Sequence, residues 1–140
     1  MALALNRDEL TDYLVQVFPQ VKDDFAIDAL SEEGVTMRLL TAERHLRPGG
    51  TVSGPSMFAL ADVSVYALVL SRLGKKALAV TTNCSLDFMR KPESGVDVVA
   101  KARLLKLGRT LAVGDVHMYS LGSDKMVARS TMTYSIPPEG

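Results

Sequence analysis

One cysteine, Cys84, stands among 140 residues, so no intrachain disulfide can form, and a reducing compartment such as the cytoplasm is the expected home. Net charge is missing as well. Sixteen Lys and Arg balance sixteen Asp and Glu, which leaves no electrostatic footprint for nucleic acid or for an anionic membrane surface. The only histidines, His45 and His117, lie far apart with no Cys or carboxylate at ligand spacing, which argues against a metal site. GGTVSG (Gly49 to Gly54) is followed by no Gly-Lys-Ser/Thr and is not a phosphate loop. The opening residues, MALALNRDELTDYL, lack a basic segment leading into a long apolar run, so no signal peptide is expected. The sequon Asn83-Cys84-Ser85 therefore has no secretory context. No repeat, low-complexity tract or linker interrupts the chain, and one domain over residues 1–140 is expected.

What the chain has is apolar mass. Hydrophobic residues make up 47% of it, enough for a sizeable core, and the neutral composition suggests an oligomer that hides apolar surface. The apolar residues concentrate in SGPSMFALADVSVYALVL, Ser53 to Leu70. Gly54 to Ser71 is 18 residues long and so approaches membrane-spanning length. Pro55 near its start and Asp62 at its centre instead mark a core helix. Ser53 or Gly54 is the expected cap, Pro55 fits the first turn, and Gly74 is the expected stop. An earlier helix, capped by Asn6 or Asp8, places Leu10, Tyr13, Leu14 and Val17 on one face and ends at Pro19. Phe25–Leu30 and Val35–Leu46 read as a hairpin around Ser31–Gly34. After the long helix four strands are predicted, Ala77–Phe88, Val96–Leu107, Thr110–Leu121 and Lys125–Ile136, joined as an antiparallel meander. A helix apolar on most sides must be covered on most sides. An α+β fold, with a curved antiparallel sheet wrapped around the helix, is the simplest way to do so. Two such units can then join sheets edge to edge.

Asp62 breaks the pattern. A buried carboxylate without a partner is costly, so it needs a counter-charge, a raised pKa or access to solvent. In one reading it faces a polar subunit interface or pairs with Arg47 or Arg72. In the other it is a base or nucleophile in a cleft beside the helix. Gly54 stands eight residues earlier, at the positive end of the helix dipole, where its N–H can polarise a carbonyl oxygen. A straight helix separates the two by about 12 Å between Cα atoms. The reacting carbonyl must then lie between them, or the two must act from opposite sides of a dimer cleft.

The run PGGTVSGPSMFALADVSVYALV resembles the PaaI-like acyl-CoA thioesterases of the hotdog-fold superfamily. Their pattern is Asn-x-x-Gly-x-x-His-Gly-Gly, followed by a helix bearing Leu-Ala-Asp. The matching residues are Arg47, Gly50, Ser53, Gly54, Pro55, Leu60, Ala61 and Asp62. FMRKP (Phe88 to Pro92) and LKLGRTLAVGDVHMYS (Leu105 to Ser120) extend the likeness over roughly Val35 to Ile136. The resemblance implies a hotdog fold, a homodimer or a dimer of dimers (a homotetramer), and hydrolysis of an acyl-CoA to free acid and coenzyme A. Coenzyme A is then part of the substrate, and no cofactor is needed.

It further implies that Asp62 is the general base or nucleophile and that the Gly54 N–H polarises the thioester carbonyl. Three positions depart from the pattern. Arg47 stands for the Asn that orients substrate or water, Ser53 for the His, and Pro55, which has no N–H, for the second Gly. The family's hydroxyl from the strand after the helix falls on Thr81, with Thr82 beside it, and is expected to reach the site across the dimer interface. Phe58 and Tyr66, otherwise core residues, are expected to line an acyl pocket. Arg90, Lys91, Lys106 and Arg109 are expected to meet the phosphates of coenzyme A at its mouth, where charge-assisted hydrogen bonds are strong. The three departures also motivate a competing reading, a non-catalytic acyl-CoA or lipid-binding hotdog protein. A hotdog dehydratase is a further reading, but those enzymes pair the acid with a His, and neither His45 nor His117 is near Asp62 in sequence. Cys84 is expected to be a small core or interface residue.

Overall fold

The computed structural model describes residues 2–138. Asn6 starts the first helix, α1 (Arg7–Val17), through a reciprocal capping box. Its side chain accepts from the Glu9 N–H at 2.8 Å, and the Glu9 side chain accepts from the Asn6 N–H at 3.0 Å. Leu10, Tyr13 and Leu14 turn inward as the spacing predicts. Strands β1 (Phe25–Leu30) and β2 (Val35–Leu39) form the predicted hairpin. Strand β2 stops at Leu39 rather than at Leu46. Beyond it the Thr41 N–H donates to Asp97 Oδ1 at 2.9 Å, and a short helical turn, Glu43–His45, leads the chain off the sheet.

The long helix, α2 (Gly54–Leu73), is capped by Ser53, whose Oγ accepts from the Ser56 N–H at 3.2 Å. It ends at Gly74, which has φ of 82°. By length and hydropathy it passes the test for a membrane span, yet 72% of its most apolar stretch is buried inside the protein, as in a core helix. Arg72, near its end, donates to the carbonyls of Ser31 and Glu32 at 3.0 and 2.6 Å. It therefore ties the helix to the β1–β2 turn and is not a counter-charge for Asp62.

Strands β3 (Val80–Phe88), β4 (Val98–Leu107), β5 (Leu111–Ser120) and β6 (Met126–Ser135) complete one antiparallel sheet of order β1-β2-β4-β5-β6-β3. Only the last three form a meander. Strand β3 pairs with β6, not with β4 as expected, because the Met89–Asp97 connection carries the chain back across the sheet. Three strand spacings of about 4.8 Å each is a span of roughly 14 Å, within reach of that segment. The sheet curls around α2, and Met37, Leu39, Val98, Val116, Met118 and Met132 face it with no more than a trace of exposure. Gly114 allows the close approach: a Cβ there would sit 2.8 Å from a methyl of Val65. Strand β3 is left as an edge, with Val80 and Phe88 each more than half exposed on it.

Candidate active site

The middle of α2, the start of β3 and the end of β6 converge on Asp62. Thr81 and Tyr134 are direct partners in the β3–β6 ladder, and both turn toward the helix. Thr81 Oγ1 donates to Asp62 Oδ1 at 2.5 Å, and the Tyr134 hydroxyl donates to the same oxygen at 2.7 Å. That hydroxyl also lies 3.0 Å from the Asp62 carbonyl oxygen. Asp62 Oδ2 accepts no hydrogen bond from any described residue. Within the chain neither Arg47 nor Arg72 pairs with Asp62; two hydroxyls meet the carboxylate instead, both on Oδ1. Thr81 also reaches Asp62 from the same chain, not from across an interface.

Asp62, Thr81 and Tyr134 open onto a cavity of about 280 Å³ that Val17, Phe18 and Tyr66 also line. The Tyr66 and Tyr134 rings stack, with centroids 6.0 Å apart, and Phe18 meets Tyr66 edge-on at 6.4 Å. The Tyr66 hydroxyl donates to the Ala77 carbonyl at 2.7 Å. Burial raises the pKa of both tyrosines, and the Asp62 charge raises that of Tyr134 further, so both phenols stay protonated donors. Tyr134 escaped the sequence reading. It lies 72 residues from Asp62, and its only signal was an inward-facing position on the last predicted strand.

Gly54 belongs to a different cavity, of about 400 Å³, lined with Arg47, Phe88, Arg90 and Lys91 among others. The loop into the helix is held by its own backbone. The Arg47 N–H donates to the Thr51 carbonyl at 2.9 Å, and the Ser53 N–H to the His45 carbonyl at 2.8 Å. His45 is itself buried: its Nδ1 accepts from the Ala42 N–H and its Nε2 lies 2.9 Å from Asp24 Oδ1. The Phe88 ring lies close over the glycine, and a Cβ at position 54 would lie 3.3 Å from it. Ser53 is occupied as the helix cap.

The expected site thus divides in two within the chain. Asp62, Thr81 and Tyr66 meet in one cavity, and Gly54, Arg47, Arg90 and Lys91 in the other. The remaining candidates lie elsewhere. Lys106 borders a cavity with Glu32, Glu33 and Arg72, and Arg109 is exposed in the β4–β5 turn. Thr82 points away from the helix and donates to the Thr133 carbonyl at 3.3 Å. Phe58 is 40% exposed rather than core, and it is not among the residues lining the Asp62 cavity. His117 lies 3.2 Å from Asp115, apart from both cavities. Cys84 is half-buried on β3.

Residues 49–127 match the thioesterase superfamily, and the chain belongs to that family. It is a hotdog-fold thioester hydrolase of the PaaI-like kind. Mouse acyl-coenzyme A thioesterase 13 is 25% identical over 122 residues, 86% of each chain. A candidate thioesterase from Silicibacter sp. TM1040 is 70% identical, and its crystal structure superposes with a TM-score of 0.93 over 99% of this chain and 96% of that one. A single-residue variant of the phenylacetic acid degradation protein PaaI from Thermus thermophilus is 27% identical, with a TM-score of 0.73 over 85% of this chain and 99% of that one.

Proposed function

We propose that the protein hydrolyses an acyl-CoA thioester at a site shared between two copies of the chain. The observation that carries this is the half-committed carboxylate: Asp62 Oδ1 holds two hydroxyl donors while Oδ2 has none among the described residues, in a cavity large enough for a substrate group. The second half of the machinery, the Gly54 N–H at the positive end of α2, lies at the opposite end of β3, near Phe88. Antiparallel pairing of two β3 edges would set the Thr81 end of one copy beside the Phe88 end of the other. The Asp62 cavity of one copy would then adjoin the Gly54 cavity of its partner. The same pairing would cover the exposed strand edge and its apolar side chains. A dimer of dimers is an extension of this arrangement, and the single free cysteine supports a cytoplasmic home.

In this reading Asp62 acts as general base or as nucleophile. As base it takes a proton from water as the water oxygen attacks the thioester carbon, and the Gly54 N–H holds the developing oxyanion. Collapse breaks the C–S bond, and the coenzyme A thiolate leaves to be protonated. As nucleophile the carboxylate attacks the thioester carbon first, the C–S bond breaks and the coenzyme A thiolate leaves to be protonated, and water then hydrolyses the resulting anhydride. Arg90 and Lys91 at the mouth of the Gly54 cavity suit the phosphates of coenzyme A, with Arg47 deeper in the loop in place of an amide. The protein is read as one domain with no cofactor.

Release of free thiol from short, medium, long and aryl acyl-CoAs tests the proposal, with Asp62→Asn alongside. Turnover that disappears in the variant supports it. Binding of acyl-CoA with no turnover of any of them would instead favour a non-catalytic acyl-CoA or lipid-binding protein.

The shared site makes a separate prediction. Asp62→Asn spoils one half and the double change Arg90→Ala/Lys91→Ala weakens the other, so each alone is expected to be slow at low substrate concentration. After subunit exchange, a mixed dimer carries one intact site. An equal mixture is expected to regain about a quarter of wild-type activity. Activity that stays at the average of the two separate variants would show that each chain works alone.

A further inference from the structure

An aspartate side chain on a helix rotates, and its two oxygens exchange places unless something distinguishes them. Catalysis needs one of them fixed against the reacting atom. Here the two are already distinguished. Oδ1 receives both hydroxyl donors, which occupies its two lone pairs, while Oδ2 accepts nothing from the described residues.

The two donors differ in kind. Thr81 sits on the edge strand β3, beside a register shift between Thr81 and Asn83. Tyr134 sits on β6, between β5 and β3, and is 3% exposed. Its ring is held by stacking on Tyr66, and the Tyr66 hydroxyl is in turn held by the Ala77 carbonyl. The Tyr134 hydroxyl also contacts both the side chain and the backbone carbonyl of Asp62, which fixes the carboxylate relative to its own helix turn.

We propose that Tyr134 is a positioning residue: with Thr81 it clamps Asp62 Oδ1 and so presents Oδ2 as the single reacting oxygen. The inference rests on the reading of Asp62 as base or nucleophile. The phenol does not touch the reacting atoms; it acts through Asp62. Its neutral, protonated state is maintained by burial and by the adjacent carboxylate, so it donates throughout the pH range in which an enzyme of this kind works. The groups that face Asp62 are few. Thr81 comes from β3, Tyr134 from β6, Tyr66 from α2 itself, and Phe18 from the segment after α1; among the described residues the cavity lining holds no Lys, Arg, His or second carboxylate. A hydroxyl that donates to a carboxylate supports its ionised form, and removing the hydroxyl withdraws that support.

The test is Tyr134→Phe, which keeps the stacked ring and removes only the hydroxyl, with Thr81→Val as an independent second variant. For Tyr134→Phe we expect kcat to fall roughly 10- to 100-fold with KM nearly unchanged. The acid limb of the kcat/KM profile is expected to move to higher pH. Thr81→Val is expected to move it in the same direction. A carbon-13 NMR titration of the Asp62 carboxyl, assigned with Asp62→Asn, reads the clamp without any substrate. An upward shift of its midpoint in either variant supports the clamp. A fall in thermal stability with an unmoved acid limb and an unmoved midpoint overturns it. If the wild type turns over no acyl-CoA, the proposed function fails by itself, and the NMR titration still decides whether Tyr134 and Thr81 hold the carboxylate.

Discussion

Replacing Asp62 with Asn is expected to lower acyl-CoA turnover by about 10²- to 10⁴-fold, the range a positioned general base contributes. The substitution is close to isosteric. The Asn carbonyl oxygen can still accept from Thr81 and Tyr134, so the local geometry has a reason to persist. What is lost is the charge: an amide cannot take a proton from water and is a poor nucleophile. Steady-state thiol release, run beside thermal unfolding of both proteins, separates this from misfolding. Full folding with the predicted loss assigns the chemistry to the carboxylate. Wild-type turnover in the variant would remove Asp62 from the reaction, and the hydroxyl pair around it would then be a structural solution to a buried acid.

The second large effect concerns the helix seat. Gly114→Ala is expected to destabilise the protein by about 1–3 kcal/mol, the usual cost of forcing an extra methyl into a packed core. The new Cβ would lie 2.8 and 2.9 Å from the two methyls of Val65, a β-branched residue with 0% exposure on α2. Val65 cannot swing away, because its rotamer is nearly fixed in a helix. The double variant Gly114→Ala/Val65→Ala removes the clash from the other side. It is expected to exceed the sum of the two single changes by roughly 1 kcal/mol or more in stability, a coupling that chemical denaturation can read directly. Simple additivity would mean that the sheet moves away instead, and that Gly114 is not what sets the spacing between sheet and helix.

The features legible in the sequence share a physical origin: they are set by neighbours along the chain. The caps at Asn6 and Ser53, each one of two residues the sequence offers, Pro55 in the first turn and the stop at Gly74 are all local, and all stand where the residues place them. The alternation of Val35, Met37 and Leu39 is local too. The end of β2 was not, because Leu39 ends the strand only when Asp97, far along the chain, captures the Thr41 N–H. Strand order was hidden for the same reason. Nothing in Ala77–Phe88 distinguishes pairing with the following strand from pairing with the last one, since both ladders satisfy the same backbone groups.

The candidate site divides along the same line. By itself the sequence marked Asp62 as an anomaly, a charge in an apolar helix, and Gly54 as a donor at the helix's positive end; its resemblance to a family added Thr81 as a companion. The tertiary structure decided what satisfies that charge. Tyr134 and Thr81 come together only because β3 returns to the far edge beside β6, and two hydroxyls displaced the arginines that charge alone had suggested. It also decided that Gly54 and Asp62 open into different cavities. Residues along one rigid helix hold a fixed separation that a sequence can supply, whereas the cavity each one faces is set by the strands packed around it, and those contacts are made by residues remote in the chain.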